Sequence, residues 1–237
     1  MDTGRVGALS ISYRRAVTIA VVIPALDEAE SVADAVASAQ GPGVDVVVVD
    51  GGSRDATAAR ARAAGARVLA SPPGRARQLA AGARQATGDV VLFLHADTRL
   101  PPGWHGALRR ACGDPRVAGG AFGLRFAGGG AGLRLVEWGA RLRGRLLRLP
   151  YGDQALWVRR AVLEAIGGVP QAPIMEDLDL VRAVRRHGRW ASLPLAVETS
   201  PRRYRGRVLR HMLRNWLALL AWRVGVDRAR VADWYAR

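Results

Sequence analysis

The chain has 237 residues and carries 36 basic side chains against 20 acidic ones, a formal net charge of +16 and a pI near 11.6; every basic residue is arginine. The length supports one substantial core, no Ser/Pro/Gly-rich linker divides it, and the single cysteine, Cys112, excludes an intramolecular disulfide and a cysteine-based zinc cluster. No uncharged run approaches the ~20 residues that cross a bilayer, and residues 1–15 lack the continuous apolar stretch of a secretory signal, so a reducing cytoplasm is the expected compartment.

In chain order, residues 18–25 (TIAVVIPA), 45–50 (DVVVVD), 66–70 (ARVLA) and 89–94 (DVVLFL) are short β-rich runs without alternation, the pattern of strands buried on both faces. Between them, residues 28–40, 54–64 and 75–86 are alanine-rich, of helical length, and end at or near Gly41, Gly65 and Gly88. This alternation predicts an α/β fold: a Rossmann-type, mostly parallel sheet with helices on both faces and right-handed crossovers. Ligands of such sheets bind outside the carboxyl ends of the strands. Three corners stand there: Pro24-Ala25-Leu26-Asp27-Glu28, Asp50-Gly51-Gly52-Ser53-Arg54-Asp55 and His95-Ala96-Asp97. Asp27, Ser53 and Asp55 suit helix caps or first-turn acids as well as ligand contacts. Asp50 ends a strand and precedes two glycines that let a ligand approach the backbone.

The second half is less regular. Residues 117–126 (VAGGAFGLRF) read as a glycine-broken strand, followed by a turn at Gly128-Gly129-Gly130. Residues 133–149 predict a basic amphipathic helix, with Leu135, Trp138, Leu142, Leu146 and Leu149 on one face and Arg134, Arg141, Arg145 and Arg148 on another. Tyr151-Gly152-Asp153-Gln154 is a polar turn before the apolar run 155–158. A helix over 175–187 opens with Met175-Glu176-Asp177-Leu178-Asp179, where helical spacing is expected to bring Glu176 near Asp179 and aim Asp177 elsewhere. The final helix, over 203–223, sets Val208, Leu209, Met212, Leu213, Trp216, Leu217 and Leu220 on one face and Arg203, Arg207, Arg210 and Arg214 on another.

The ordered set VVIPALDEAE, VVVVDGGSRDAT, GRARQLAAGARQATGDVVLFLHADT, the GGAF strand and MEDLDL resembles the inverting family 2 glycosyltransferases of GT-A fold, especially small bacterial members without transmembrane helices, over roughly residues 19–190. The resemblance implies one glycosyltransferase domain: a nucleotide-sugar half (18–100), an acceptor and catalytic half (101–200) and a C-terminal amphipathic segment (203–237). It also implies that Pro24, Ala25, Asp27 or Glu28, Asp50 and Ser53 surround the nucleotide, with Asp50 near the base and Arg77 near the donor phosphates or ribose. Where the family carries Asp-x-Asp this chain has His95-Ala96-Asp97. Asp97 would hold Mg²⁺ or Mn²⁺ bridging the donor pyrophosphate, while His95 would contact the ribose or join the metal shell, favouring Mn²⁺; a ring bonded to a carbonyl at a strand end is its structural alternative. Asp177 would be the base that deprotonates the acceptor hydroxyl, Glu176 would orient it or touch the acceptor, and Asp153 would bind acceptor. As local sequence, the two adjacent acids also suit a helix N-terminus. Arg202-Arg203-Tyr204 departs from the family's Gln-x-x-Arg-Trp, with Arg203 as the candidate phosphate contact.

Rival readings fare less well. No Gly-x-Gly-x-x-Gly follows the first strand, against a nicotinamide dehydrogenase, and the lysine of a phosphate-binding NTPase has no counterpart. A nucleotidyltransferase acting on a sugar phosphate shares the nucleotide pocket and metal acid but wants a basic glycine-rich loop after the first strand. A nucleic-acid-binding protein would use the charge, yet carboxylates on the ligand rim repel a phosphate backbone, so no nucleic-acid partner is expected. The expected partners are a nucleotide-diphosphate sugar, an acceptor the sequence does not specify, and an anionic membrane surface. The two basic helices would lie on the inner face of the cell membrane, beside a lipid-linked or hydrophobic acceptor, unless their apolar faces dock on the protein's own core.

Overall fold

The computed structural model describes residues 16–146, 150–204 and 208–236. The first half alternates as expected: β1 (Ile19–Ala25), α1 (Val32–Ala39), β2 (Val44–Asp50), α2 (Thr57–Ala63), β3 (Arg67–Ala70), α3 (Arg75–Gln85) and β4 (Val90–Phe93). The second half contributes β5 (Thr98–Arg99), α4 (Trp104–Cys112), β6 (Val117–Phe126), α5 (Ala131–Leu146), β7 (Trp157–Arg159), α6 (Arg160–Ala165), α7 (Glu176–Val184), β8 (Arg189–Thr199), α8 (Val208–Arg223) and α9 (Arg228–Ala236).

One eight-stranded sheet, ordered β3-β2-β1-β4-β7-β6-β8-β5, runs through both halves. β3, β2, β1 and β4 are mutually parallel, β7 is antiparallel to β4 and β6, β8 returns parallel to β6, and β5 caps the edge antiparallel to β8. Alternate residues of the apolar runs serve opposite faces. Ile19, Val21 and Ile23 pack with α1 and α4, whereas Ala20 and Val22 pack with α3, α6 and α7. A smaller cluster, Leu178 and Val181 of α7 with Leu219 of α8, joins the C-terminal helices to the sheet layer.

The structure moves several predicted boundaries. α1 begins at Val32 and α2 at Thr57, because residues 26–31 and 51–56 stay in the strand-to-helix loops and bond each other. α7 ends at Val184 and α8 begins at Val208. Residues 147–149 of the predicted basic helix lie outside the described residues, as do Arg207 and the side chains of Arg145, Leu146, Leu209 and Arg203.

Candidate active site

The carboxyl ends of β1 and β2 are fixed by one buried side chain. The Gln78 Nε2 amide on α3 donates to the carbonyls of Ala25 and Val49, each at 2.8 Å, and Gly51 leaves room for it, since a Cβ there would stand 3.0 Å from that nitrogen. The two loops beyond the strands are then stitched together. Ser53 Oγ accepts the Asp27 amide N–H at 2.9 Å and donates to Asp50, and Asp27 Oδ1 accepts the Arg54 amide at 2.8 Å. Asp27 adopts a left-handed φ of 53°, a conformation that these bonds hold in place. Asp55 accepts the amides of Ala29 (3.1 Å) and Thr57 (2.9 Å), and its carboxyl lies below the usual range, first because of the Thr57 hydroxyl bond. Asp55 thus acts as a local cap, while Asp27, Asp50 and Ser53 bind loop to loop.

Pro24, Ala25, Glu28, His95, Ala96 and Asp97 line one cleft of about 270 Å³, closed on the α3 side by Arg75 and Gln78. Arg77 is exposed and stands outside this cleft, whereas Arg75, one residue into α3 from its Gly74 cap, faces it. Glu28 accepts Arg202 Nη2 at 2.6 and 2.8 Å and Ser31 Oγ at 2.9 Å. The same guanidinium nitrogen stands 4.0 Å from Asp97 Oδ2.

Asp97 and His95 also line a second cavity of about 340 Å³. Its floor is Gly152-Asp153 and Met175-Glu176-Asp177; its far wall comes from Tyr204 and from His211, Asn215 and Tyr235 on α8 and α9. Glu176 is buried and pairs with Arg75, which also reaches Asp177 Oδ2 at 3.2 Å. Asp177 further accepts the Gly152 amide at 2.7 Å and the Leu178 amide at 2.9 Å. A Cβ at Gly152 would stand 2.6 Å from Nη2 of Arg75, so a larger residue there would require the guanidinium to shift. Burial pushes the Glu176 carboxyl up, Arg75 pulls against it and Asp177 adds to the rise. Burial opposes the Arg75 charge, but Glu176 and Asp177 more than compensate and hold it firmly protonated. The Asp153 turn is anchored by Gln154, whose Oε1 accepts the Tyr151 amide and whose Nε2 donates to the Phe122 carbonyl. Ala155 and Met175, beside Asp153 and Glu176, have left-handed φ of 45° and 61°.

The expected grouping of acids on α7 is corrected. Glu176 and Asp177 converge on Arg75, while Asp179 turns away to accept Trp222 Nε1 and Arg228 at 2.9 Å. In the first helical turn an arginine from α3 reaches both adjacent acids, which helical spacing alone does not anticipate. Arg75, Gln78, His211, Asn215 and Tyr235 were not indicated by the sequence. Their roles depend on contacts between distant segments; the one local signal is that His211 and Asn215 are polar four-residue neighbours on α8.

For a metal, the chain offers Asp97, whose side chain is 8% exposed, and His95 at the junction of the two cavities. Among the described residues no three His, Cys, Asp or Glu side chains are grouped to hold a metal ion. That donor set fits Mg²⁺ or Mn²⁺, which keep waters and take phosphate oxygens beside one or two carboxylates, and the Arg202 guanidinium near Asp97 shows a position that accepts positive charge.

Comparison with known proteins agrees with this architecture. The family described as Glycosyl transferase family 2 matches residues 20–160. The glucosyl-3-phosphoglycerate synthase of Mycolicibacterium paratuberculosis (strain ATCC BAA-968 / K-10) is 37% identical over 98 residues, 35% of this chain and 30% of that protein. Its counterpart in Mycobacterium tuberculosis (strain ATCC 25618 / H37Rv) is 38% identical over 97 residues, with the same shares; the matched segment spans less than a third of these curated relatives. Among solved structures, the Mycobacterium tuberculosis synthase in complex with Mn²⁺, uridine-diphosphate-glucose and phosphoglyceric acid has a TM-score of 0.58 at 24% identity, covering 89% of this chain and 81% of that one. A mycobacterial protein has a TM-score of 0.53 at 26% identity, covering 78% and 65%. The sheet and its helices are thus of the GT-A type that the motifs implied.

Proposed function

The chain belongs to glycosyl transferase family 2, and on that premise we propose that it is an inverting glycosyltransferase moving a sugar from a nucleoside-diphosphate sugar to an acceptor hydroxyl. The observation that carries the reading is that Asp97 and His95 line both the cleft beside β1 and the cavity over Asp177, so donor and acceptor spaces meet at one acid-bearing corner. The donor lies along Pro24, Ala25 and Glu28, on loops that Asp27, Asp50 and Ser53 hold in register. Asp97, with His95, would hold Mg²⁺ or Mn²⁺, which would supply Lewis acidity toward the departing diphosphate. Asp177 takes the acceptor proton, Arg75 neutralises and orients the Glu176–Asp177 pair, and Asp153 faces the acceptor. Uridine diphosphate, the nucleotide in the related synthase structures, is the first donor to try. The test is calorimetric titration with UDP and Mn²⁺, followed by UDP release from UDP-glucose in the presence of an acceptor panel. Saturable, metal-dependent UDP binding supports the reading, and its absence with every nucleoside diphosphate overturns it. Titration with DNA at the same salt is the control for the rival nucleic-acid reading.

The finer reading is that the protein works at an anionic membrane surface on a hydrophobic acceptor. No helix among the described residues is long and apolar enough to cross a membrane. What supports lipid contact is that Trp138 on α5 and Leu213, Trp216 and Leu220 on α8 point outward, with Arg134, Arg141 and Arg210 exposed beside them.

A further inference from the structure

The turn that presents Glu176 and Asp177 is held from the C-terminal end of the chain. Met175, immediately before the two acids, has a left-handed φ of 61°, a conformation that a non-glycine residue keeps only where surrounding bonds over-determine it. No side chain caps α7 at that position. The bonds that bracket the turn come from Arg228, the first residue of α9: Nη1 donates to the Ile174 carbonyl at 2.9 Å, and Nη2 donates to Asp179 Oδ1 and Oδ2 at 2.9 and 3.0 Å. A single planar guanidinium thus spans the turn from Ile174 to Asp179. Asp179 also accepts Trp222 Nε1 at 2.9 Å, and the guanidiniums of Arg182 and Arg228 each stand 5.9 Å from the centroid of that indole. The far end of α9 is fixed to α8, where the Tyr235 hydroxyl donates to Asn215 Oδ1 at 2.6 Å and the Arg214 guanidinium lies 4.8 Å from the Tyr235 ring.

We propose that Arg228 is a positioning residue for Asp177, which makes the hairpin of α8 and α9 a working part of the catalytic site. Its bonds go to Ile174 and Asp179 and act on Asp177 through the backbone between them. With both anchors fixed, Met175 keeps its left-handed φ, and Asp177 Oδ2 stays 2.7 Å from the Gly152 amide and 3.2 Å from Arg75 Nη2. Without the guanidinium, Met175 is released to an ordinary φ, which rotates the first turn of α7 and carries the carboxylate away from Gly152. The catalytic consequence rests on the glycosyl-transfer reading, in which Asp177 is the base. Arg228 lies outside residues 20–160 matched by the family, so the site is completed by a segment beyond that match.

The test uses the full chain with Arg228→Gln, Asp179→Asn and Trp222→Phe, each checked for a native circular dichroism spectrum. Hydrogen exchange followed by mass spectrometry reads the turn without any substrate. In Arg228→Gln the peptide holding the Gly152 amide is expected to exchange at least ~10-fold faster, the weight of one charge-assisted hydrogen bond, while peptides from β1 and β4 keep wild-type rates. Asp179→Asn keeps the shape and removes the charge; it is expected to move the same peptide in the same direction and carries the test where Arg228→Gln does not fold. Trp222→Phe removes one bond to Asp179 but leaves the guanidinium in place, so Gly152 protection is expected to stay at the wild-type level. In UDP release from UDP-glucose with Mn²⁺ and water as the acceptor, Arg228→Gln is expected to lower kcat by ~10-fold with KM and the UDP dissociation constant unchanged. Faster exchange confined to α8 and α9, or an equal rise at Gly152 in Trp222→Phe, would make Arg228 a tether of the C-terminal helices alone and overturns the proposal. Unaltered exchange at Gly152 in Arg228→Gln does the same. Faster exchange there in a chain that binds no nucleoside diphosphate upholds the positioning of Asp177 and counts against glycosyl transfer.

Discussion

Asp97 is nearly enclosed, stands where two cavities meet and has a guanidinium 4.0 Å away. Replacing its charge while keeping its shape tests the metal assignment directly: Asp97→Asn should abolish Mn²⁺-dependent UDP binding in calorimetry while the circular dichroism spectrum is retained, because the residue ends no helix and fills no core layer. Unchanged affinity would remove Asp97 from the metal site. His95→Asp should keep activity and shift the preference from Mn²⁺ toward Mg²⁺, since a carboxylate is the harder ligand; an unaltered preference would make the imidazole structural. Asp177 accepts two backbone amides and sits beside Arg75, so its orientation is fixed before an acceptor arrives. Asp177→Asn should lower turnover by ~10²-fold or more with the UDP dissociation constant little altered, as loss of a general base does. Retained turnover with lost donor binding would move Asp177 to the nucleotide site and leave Asp153 as the base.

At the scale of elements, the parallel half was legible because each strand is a continuous apolar run and each crossover a helix of ordinary length, so β1 to β4 and α1 to α3 follow from local pattern. β8 was not, because RWASLPLAVET carries a proline and its partner β6 begins seventy-two residues earlier in the chain. The inward face of α8 was not legible either: the sequence reading set its apolar stripe on a membrane surface or else on the core, and gave no sign that His211, Asn215 and Ala218 turn toward the protein while Leu213, Trp216 and Leu220 turn out. Site acids were readable as types at strand ends, but Arg75 and Gln78 act across elements and carry no local signature. Gly82 shows the same point in α3. Mid-helix glycine costs about 1 kcal/mol against alanine, but a Cβ at Gly82 would stand 2.3 Å from Val22 Cγ1 and 2.8 Å from Val49 Cγ2. Overpacking of this kind costs about 1–3 kcal/mol and should outweigh the gain in helix propensity. Gly82→Ala is therefore expected to lower the urea midpoint of unfolding; an unchanged or raised midpoint would show that α3 can lift from β1 and β2 at little cost.

At the scale of the whole molecule, net charge and hydrophobic surface have to be read together. Trp138 on α5 is 57% exposed, and Leu213, Trp216 and Leu220 on α8 are 61%, 49% and 57% exposed, while the opposite side of α8 lines the cavity over Asp177. Val208 of α8 packs beside Gly132 of α5, so the two outward faces belong to neighbouring helices. A monomer in water gains nothing by presenting tryptophan and leucine this way, and exposed Arg134, Arg141 and Arg210 on the same helices favour an anionic lipid surface over a neutral one. The full chain is expected to co-sediment with vesicles containing phosphatidylserine and not with phosphatidylcholine alone. Each surface-adjacent arginine contributes about 1 kcal/mol, so changing Arg134, Arg141 and Arg210 together to Gln should weaken partitioning by roughly 10²-fold and leave UDP·Mn²⁺ binding intact, since none of the three lines the donor cleft. Added salt should weaken the wild-type chain in the same direction. Indifference to vesicle charge at low salt, with light scattering showing a dimer, would assign the apolar faces to a second copy of the chain and make a water-soluble acceptor the better choice.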